Sequence, residues 1–292
     1  MKKNIINTLI TNLVTFIIGF SIQIIVSRVF GPNLTGSYFL AIFFANIIFT
    51  SFSFSLSSTY IYIRRKYSDK DVVPSFVLMS FVLTVFSLIV GMAFVFLFSA
   101  TLFSGCPVKL LLFSLIEMPF FFIVSLSQGI LFSQEKIVKF NTCSLISKII
   151  MLAVILTVFN IKNIYIPIAA SILSHAILTF LLLKESNINL KFNFDRVIIA
   201  ESVKYGFTLN ITNIITLLHY RADAFLINIL AGTYFVGIYS VASGISEKMW
   251  ILSNSISTSL FPRVVNEKDE NMKIQLTNRV SRVSNTLSIF IV

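Results

Sequence analysis

Long apolar runs, cut by short polar clusters, set the rhythm of the chain. Apolar stretches lie at about 5–27, 38–62, 74–103, 110–133, 140–160 and 164–183, broken by charge only at Glu117 and Lys148. A helix rises about 1.5 Å per residue, so about 20 apolar residues cross the hydrocarbon core of a bilayer. Each of these runs is long enough to span. The punctuation between them is turn chemistry or charge: Gly31, Pro32 and Gly36; the cluster Arg64, Arg65, Lys66, Asp69, Lys70, Asp71; Gly105, Cys106 and Pro107; and 134–139. A longer polar connection at 184–196 is the clearest domain boundary.

Beyond it the pattern is ambiguous, because Arg221 and Asp223 sit either in a loop between 202–220 and 224–246 or inside one longer helix. An internal comparison favours the longer helix. The first turn reads Gly31-Pro-Asn-Leu-Thr-Gly36-Ser-Tyr38-Phe-Leu-Ala41, and 201 residues later comes Gly232-Thr-Tyr-Phe-Val-Gly237-Ile-Tyr239-Ser-Val-Ala242. Both glycines, the tyrosine and the alanine coincide without a gap, and Asn12 aligns with Asn213. As a repeat, 232–237 is an interhelix turn, span seven runs about 202–231 and span eight about 238–262. Arg221 and Asp223 then lie within the membrane. Transporters are often built from such duplications. The predicted fold class is all-α, a polytopic transmembrane helix bundle of two six-helix lobes. The second lobe is incomplete, with about eight full spans and the start of a ninth in the apolar run 287–292. The expected organisation is an N-terminal six-helix lobe over 1–184, a cytoplasmic linker over 185–201 and a partial C-terminal lobe over 202–292. The chain reads as a C-terminally truncated member of a twelve-span architecture.

Composition agrees with lipid as the solvent. Hydrophobic residues make up 56% of the chain, mean hydropathy is +0.90 and only 12% of residues are charged, against roughly 25% charged in soluble domains. The formal charge of +11 would suggest nucleic acid in a soluble protein. Here the basic residues fall in short loops, which excludes that class and points to the positive-inside rule. With the N-terminus cytoplasmic, inside segments hold seventeen Lys and Arg, whereas outside ends hold only Arg28, Lys109 and Lys162. The first run lacks a small-residue cleavage site and serves as a span rather than a signal peptide. Cys106 and Cys143 fall near opposite faces, so neither a disulfide nor a metal site is expected. His175 and His219 are not at metal-ligand spacing, no phosphate-binding loop is present, and no loop supplies a catalytic constellation. No cofactor is expected.

Chemistry is therefore sought among ionisable residues at membrane depth, which normally face a bundle interior or a wet cavity. These are Glu117, Lys148, Arg221, Asp223, Glu247 and Lys248. Arg221 and Asp223 are two apart on a helix and point to different sides, so each needs a partner elsewhere. An arginine in a cavity suits a phosphate or acidic sugar through a bidentate contact. The alternative is a structural ion pair with Glu117 or Glu247. Adjacent Glu247 and Lys248 line a cavity or pair between helices. Lys148 reaches toward the interface or takes part in coupling. Glu117, two residues before the helix-kinking Pro119, suits a moving helix or ion-coupling site as well as a plain structural kink. His175 fits a satisfied bundle-interior histidine better than a proton relay. Span two is rich in serine, which permits close packing or lines a path for sugar hydroxyls.

Tyr205-Gly206 through Arg221-x-Asp223, Gly232-x4-Gly237-x-Tyr239-x-x-Ala242, Glu247 and Phe261-Pro262-Arg263 resemble helices seven and eight of bacterial polysaccharide transporters. These are the O-antigen (Wzx-type) flippases, in the superfamily that holds lipid II flippases and multidrug and toxin extrusion exporters. Ser27-Arg28-x-x-Gly31-Pro32-x4-Gly36 is similar to that family's first turn. The resemblance implies a two-lobed transporter in the bacterial inner membrane, not an enzyme. Its substrate would be an undecaprenyl-pyrophosphate-linked oligosaccharide, moved from the cytoplasmic to the periplasmic face by alternating access. It also implies membrane lipid, a polysaccharide polymerase and a chain-length regulator as partners. By the same analogy helices one, two, seven and eight line the cavity. That makes Arg221, Asp223, Glu247 and Lys248 substrate-binding candidates, with Glu117 and Lys148 left for coupling or gating. The competing expectations are an ion-coupled small-molecule exporter or lipid II flippase of the same fold, and a membrane-embedded polysaccharide polymerase.

Overall fold

The computed structural model describes residues 2–67, 72–158, 161, 163–186, 188, 192–246, 264–267 and 269–289. Among them the chain is helical, with turns between helices. Helix α1 (Lys2–Phe52) consists of two limbs meeting at Gly31, whose φ of 72° and ψ of 173° break the helix. Only glycine enters that region readily. Pro32 then opens the second limb, where its missing N–H costs nothing. The expected turn over 31–36 is thus a single residue. The second limb does not run through to residue 62 as the apolar pattern suggests. It stops at Phe52, and a shorter helix α2 (Leu56–Lys66) resumes after Phe54 and Ser55, both left-handed at φ 47° and 48°.

Helix α3 (Val73–Leu102) returns across the bundle. The fourth crossing is α4 (Val108–Ser114), one 3-10 turn (Leu115–Glu117) and α5 (Met118–Ser133). The kink expected at Glu117–Pro119 is realised as that tightened turn, with Pro119 in the first turn of α5, where no helical N–H is lost. Helices α6 (Ile137–Val158) and α7 (Tyr165–Ser186) follow. Helix α8 (Arg196–Ala231) is capped by Asp195, whose carboxylate accepts from the N–H groups of Val197 and Ile198. It runs unbroken through Arg221 and Asp223, as the repeat comparison predicts. Helix α9 (Thr233–Ser246) starts straight after Gly232, and α10 (Glu270–Ile289) is a polar helix, so it does not extend the apolar pattern.

Six stretches among the described residues are long and apolar enough to cross a membrane, the first, Asn7–Lys66, having 60 residues and hence room for two passes. Packing is layered along them. Leu40, Phe44, Phe103, Leu111 and Met118 fill the half of the bundle toward Gly31, Gly105 and Gly232, the glycine end. Leu56, Tyr60, Phe76, Phe122 and Ile130 fill the half toward Arg64, Arg65 and Lys66, the basic end. Ile18, Ile22 and Val26 of the first limb pack on Met151, Ile155 and Ala170 of α6 and α7. Cys106 and Cys143 are free and buried.

Helices α8 and α9 join this bundle at both of its ends. At the glycine end the second limb of α1 crosses α9. A Cβ on Gly36 would collide with the Thr233 carbonyl, and a Cβ on Gly237 with the Pro32 carbonyl. Thr233 lies 201 residues after Pro32, and Gly237 lies 201 after Gly36. The contact therefore maps onto itself under the repeat, a local twofold crossing of the isologous kind. Gly232, with φ 87° and ψ 175°, repeats the conformation of Gly31. The Thr233 hydroxyl also donates to the Asn33 side-chain oxygen.

Toward the basic end, Asn210 of α8 occupies the break between α1 and α2. In an unbroken helix the Ser55 N–H would reach the Ser51 carbonyl. Here the Asn210 amide stands between them: Nδ2 donates to the Ser51 carbonyl (2.8 Å), and Oδ1 accepts from the Ser55 N–H (3.3 Å) and from Ser53 Oγ (3.1 Å). One side chain replaces the missing helical bond from both sides. Asn213 Nδ2 adds a bond to Ser55 Oγ (2.9 Å), and Gly206 lets the helix approach the Phe54 carbonyl, where a Cβ would not fit. Farther out, the Lys66 ammonium is bound by both Glu201 carboxylate oxygens (2.7 and 2.8 Å), and Tyr62 and Tyr205 stack with centroids 4.0 Å apart.

Candidate functional site

Helix α8 is buried at Ile198, Ser202, Gly206 and Asn210, and again at Ala224 and Asn228. Asn228 lies 18 residues, five full turns, after Asn210 and so returns to the same face. Its Nδ2 donates to the Leu102 and Ser104 carbonyls at the end of α3 (3.0 and 3.3 Å). Between Asn210 and Ala224 no residue of α8 is buried. A cavity of about 290 Å³ opens near the upper part of this interval. It is lined by both limbs of α1 (Thr15, Gly19 and Gln23 of the first, Thr35, Tyr38 and Phe39 of the second), by Arg221 of α8, and by Ser240 and Gly244 of α9. In order of crossing these are helices one, two, seven and eight.

Arg221 enters this space with its guanidinium 5.6 Å from the Phe39 ring centroid and 5.9 Å from that of Phe43. The rings hold the cation by their negative faces. On the far wall Gln23 Nε2 donates to the Ser240 carbonyl (2.8 Å), and Gly244 makes room for that amide. Asp223 turns away from this space, as a spacing of two requires. It accepts a hydrogen bond from the Tyr239 hydroxyl, the repeat partner of cavity-lining Tyr38. Glu247 and Lys248 lie outside the described residues.

Glu117 belongs to a second constellation, within the first six crossings. It is buried, and its Oε2 lies 3.5 Å from His175 Nδ1, which in turn is 3.0 Å from the Ser171 carbonyl. Phe121 meets the His175 ring edge-on at 4.9 Å. Lys148 of α6 acts on both Glu117 and His175 electrostatically. The other carboxylate oxygen, Oε1, is buried without a hydrogen-bond partner. Of the two structural partners weighed for Arg221, Glu117 faces His175 instead, and Glu247 lies outside the described residues. The reason is helical geometry: Glu117 and His175 project from the 3-10 turn and α7 into the first lobe, and Arg221 projects into the cavity. Tyr38 lines the cavity.

The cavity thus lies between the repeats, with a cationic side chain on its wall and the symmetric helix crossing beside it. The family described as polysaccharide biosynthesis protein matches residues 1–266. The chain belongs to that family. In fold, this family member is similar to a solved structure of the MATE multidrug transporter DinF-BH. The TM-score is 0.77 at 16% identity, over 98% of this chain and 70% of that one. A second solved chain, described as protein A, superposes with TM-score 0.74 at 15% identity over 99% and 71% of the two chains. No curated protein gives a significant match. Family and fold are those of membrane transporters, not of enzymes. Among the described residues no group of three or more His, Cys, Asp or Glu side chains could hold a metal ion.

The sequence singles out Arg221 and Asp223, and the structure brings only Arg221 to the cavity wall. It does not single out Asn210, Asn228 or Gln23, the amides that fix α8 and α9 to the bundle. Their one sequence signal is an amide in the middle of an apolar helix, which needs a partner in lipid.

Proposed function

We propose that this chain is a flippase that carries an undecaprenyl-pyrophosphate-linked oligosaccharide, an O-antigen or other surface-polysaccharide repeat unit, from the cytoplasmic to the periplasmic face of the bacterial inner membrane. The observation that carries the proposal is Arg221, a guanidinium held by two aromatic faces on the wall of a cavity between the repeats. A guanidinium presents five donors in a planar fork, and that fork matches the oxygens of a phosphate. Asp223 shapes the same region through Tyr239, and Glu247 and Lys248 remain candidates for the continuing wall. The basic loops give an N-terminus in the cytoplasm. The 1–184 and 202–292 lobes then rock about the crossing of α1 and α9, and a polymerase and chain-length regulator act on what is delivered.

Alternating access requires the contacts at one end to part. At the basic end these are side-chain bonds, the exposed Lys66–Glu201 pair among them, and such pairs contribute only about 0–1 kcal/mol. At the glycine end they are backbone-to-backbone packing. Glu117, His175 and Lys148 form the coupling element. Similarity of fold to a multidrug transporter favours a second reading, an ion-coupled exporter of small molecules. An arginine on the cavity wall disfavours cationic cargo.

The test is translocation of a fluorescent lipid-linked oligosaccharide in vesicles containing the full-length protein. Transport that falls at least tenfold in Arg221→Ala and recovers partly in Arg221→Lys supports the flippase. Transport of a small organic cation, unaffected by Arg221→Ala and without movement of the lipid-linked glycan, replaces it with the exporter.

A further inference from the structure

We propose that the cleft between α2 and α8 at the basic end is a binding site for a glycosyl phosphate. On the flippase reading, on which this use of the site rests, it receives the phosphate-bearing first sugar of the substrate before the central cavity does. The cleft has a volume of about 480 Å³, within the range of small-ligand sites. Six residues define its chemistry: Tyr62 and Lys66 from α2, and Glu201, Lys204, Tyr205 and Thr208 from α8.

Two ammonium groups face one carboxylate, so the cleft is cationic. Lys66 is engaged by both oxygens of Glu201. Lys204, one turn along α8 from Glu201, is exposed and makes no ion pair among the described residues. It is the donor ready for an incoming phosphate, and Lys66 becomes a second if phosphate displaces Glu201. Tyr62 and Tyr205 lie parallel and stacked, with an interplanar angle of 7°. The outer face of such a rigid stacked pair suits the apolar face of a sugar ring. Thr208 presents a hydroxyl beside it.

Thr208 is also the first residue of a polar stripe. Thr212, Thr216, His219 and Asp223 follow at helical spacing, and all are exposed at membrane depth. Phe207, Ile211, Ile215 and Leu218 form a separate apolar face. A helix with one polar face in a membrane turns that face to water or protein. The cleft thus opens onto a hydroxyl-lined side of α8 that leads toward Asp223. An anionic phospholipid headgroup shares the phosphate chemistry at a basic membrane surface, but it does not need an aromatic wall.

The decisive experiment is saturation-transfer NMR on the full-length protein in nanodiscs of neutral phosphatidylcholine, with glucose 1-phosphate, glucose and inorganic phosphate as separate probes. Glucose 1-phosphate is expected to receive saturation on its ring protons, and the other two to bind about tenfold more weakly. Lys204→Glu should weaken it about tenfold, the scale of one charge-assisted hydrogen bond, Tyr205→Leu should weaken it by removing the ring face, and Lys204→Arg should retain it. Glu201→Gln, which frees Lys66, should tighten it, a gain that a merely structural ion pair would not give. Equal saturation in wild type and Lys204→Glu overturns the site. Loss of the signal in nanodiscs containing phosphatidylglycerol reassigns it to lipid headgroups and overturns the glycosyl part. If Lys204→Glu binds no probe yet moves lipid-linked oligosaccharide at the wild-type rate, the cleft is off the path and the proposal falls while the flippase stands. If the probe binds as expected but no lipid-linked oligosaccharide moves, the flippase falls and the site remains.

Discussion

Asn210→Ala removes the amide that bridges the break between α1 and α2. In the wild type that amide serves two main-chain groups, the Ser51 carbonyl and the Ser55 N–H, and also Ser53 Oγ. Truncation leaves the Ser51 carbonyl without this donor and the Ser55 N–H with only the longer bond to Ser53 Oγ (3.4 Å), in a part-buried interface. An unsatisfied buried polar group costs about 1–3 kcal/mol. Interhelical hydrogen bonds in membranes are measured lower, at about 0.6 kcal/mol on average and at most about 1.7, because the unfolded chain finds other partners. One unpaired carbonyl and one weakened N–H therefore give a loss of about 1–2 kcal/mol. The break can also heal: without Asn210, Ser55 N–H is free to bond the Ser51 carbonyl in a regular helix, which relieves the left-handed Phe54 and Ser55 and offsets part of the loss. The assay is reversible unfolding of the purified protein in mixed micelles of increasing SDS fraction, Asn210→Ala against wild type. A second measurement, amide hydrogen exchange at 51–56, separates the two routes, since healing slows exchange and orphaning accelerates it. Stability within about 0.3 kcal/mol of wild type, together with unchanged exchange, refutes the role given to Asn210.

Gly36→Ala and Gly237→Ala each press a methyl against a carbonyl of the opposing helix, and overpacking costs about 1–3 kcal/mol. Because both methyls widen one crossing, the double variant should lose less in SDS unfolding than the two single losses added together. Glu117→Gln should keep the fold, with thermal unfolding within a few degrees of wild type. It should also remove any dependence of vesicle transport on an imposed proton or sodium gradient, and retained dependence would remove Glu117 from coupling. Lys66→Met should change stability by less than about 1 kcal/mol, because the pair it makes with Glu201 is solvent-exposed. A larger loss in the same unfolding assay would mean that the pair is a main fixing of α8.

How much of this was legible in the sequence differs from element to element. Helix positions followed from apolar length, since a bilayer imposes about 20 residues whatever the tertiary contacts. The glycine turns followed from the repeat, and Gly31 and Gly232 share a backbone conformation that only glycine readily adopts. The break at 53–55 did not follow. Ser-Phe-Ser carries neither proline nor glycine, and the helix is interrupted there because Asn210, 155 residues from Ser55 in sequence, supplies the bond the helix gives up. Arg221 was legible as an intramembrane charge, and its direction was not: Phe39 and Phe43, which hold it, are two of 31 phenylalanines. The Glu117–His175 contact depends on the 3-10 turn that aims the carboxylate into the first lobe, a tertiary choice that local pattern does not carry.

The most direct test of the central claim is the sidedness of the lipid-linked oligosaccharide after deletion of the full-length gene. Spheroplasts of the deletion strain would be treated with a membrane-impermeant glycan label, before and after permeabilisation. A flippase predicts that the intermediate accumulates and is labelled only after permeabilisation, with sidedness restored by the wild-type gene and not by Arg221→Ala. Single repeat units labelled on intact spheroplasts, without long chains, would contradict it and put the lost step after translocation.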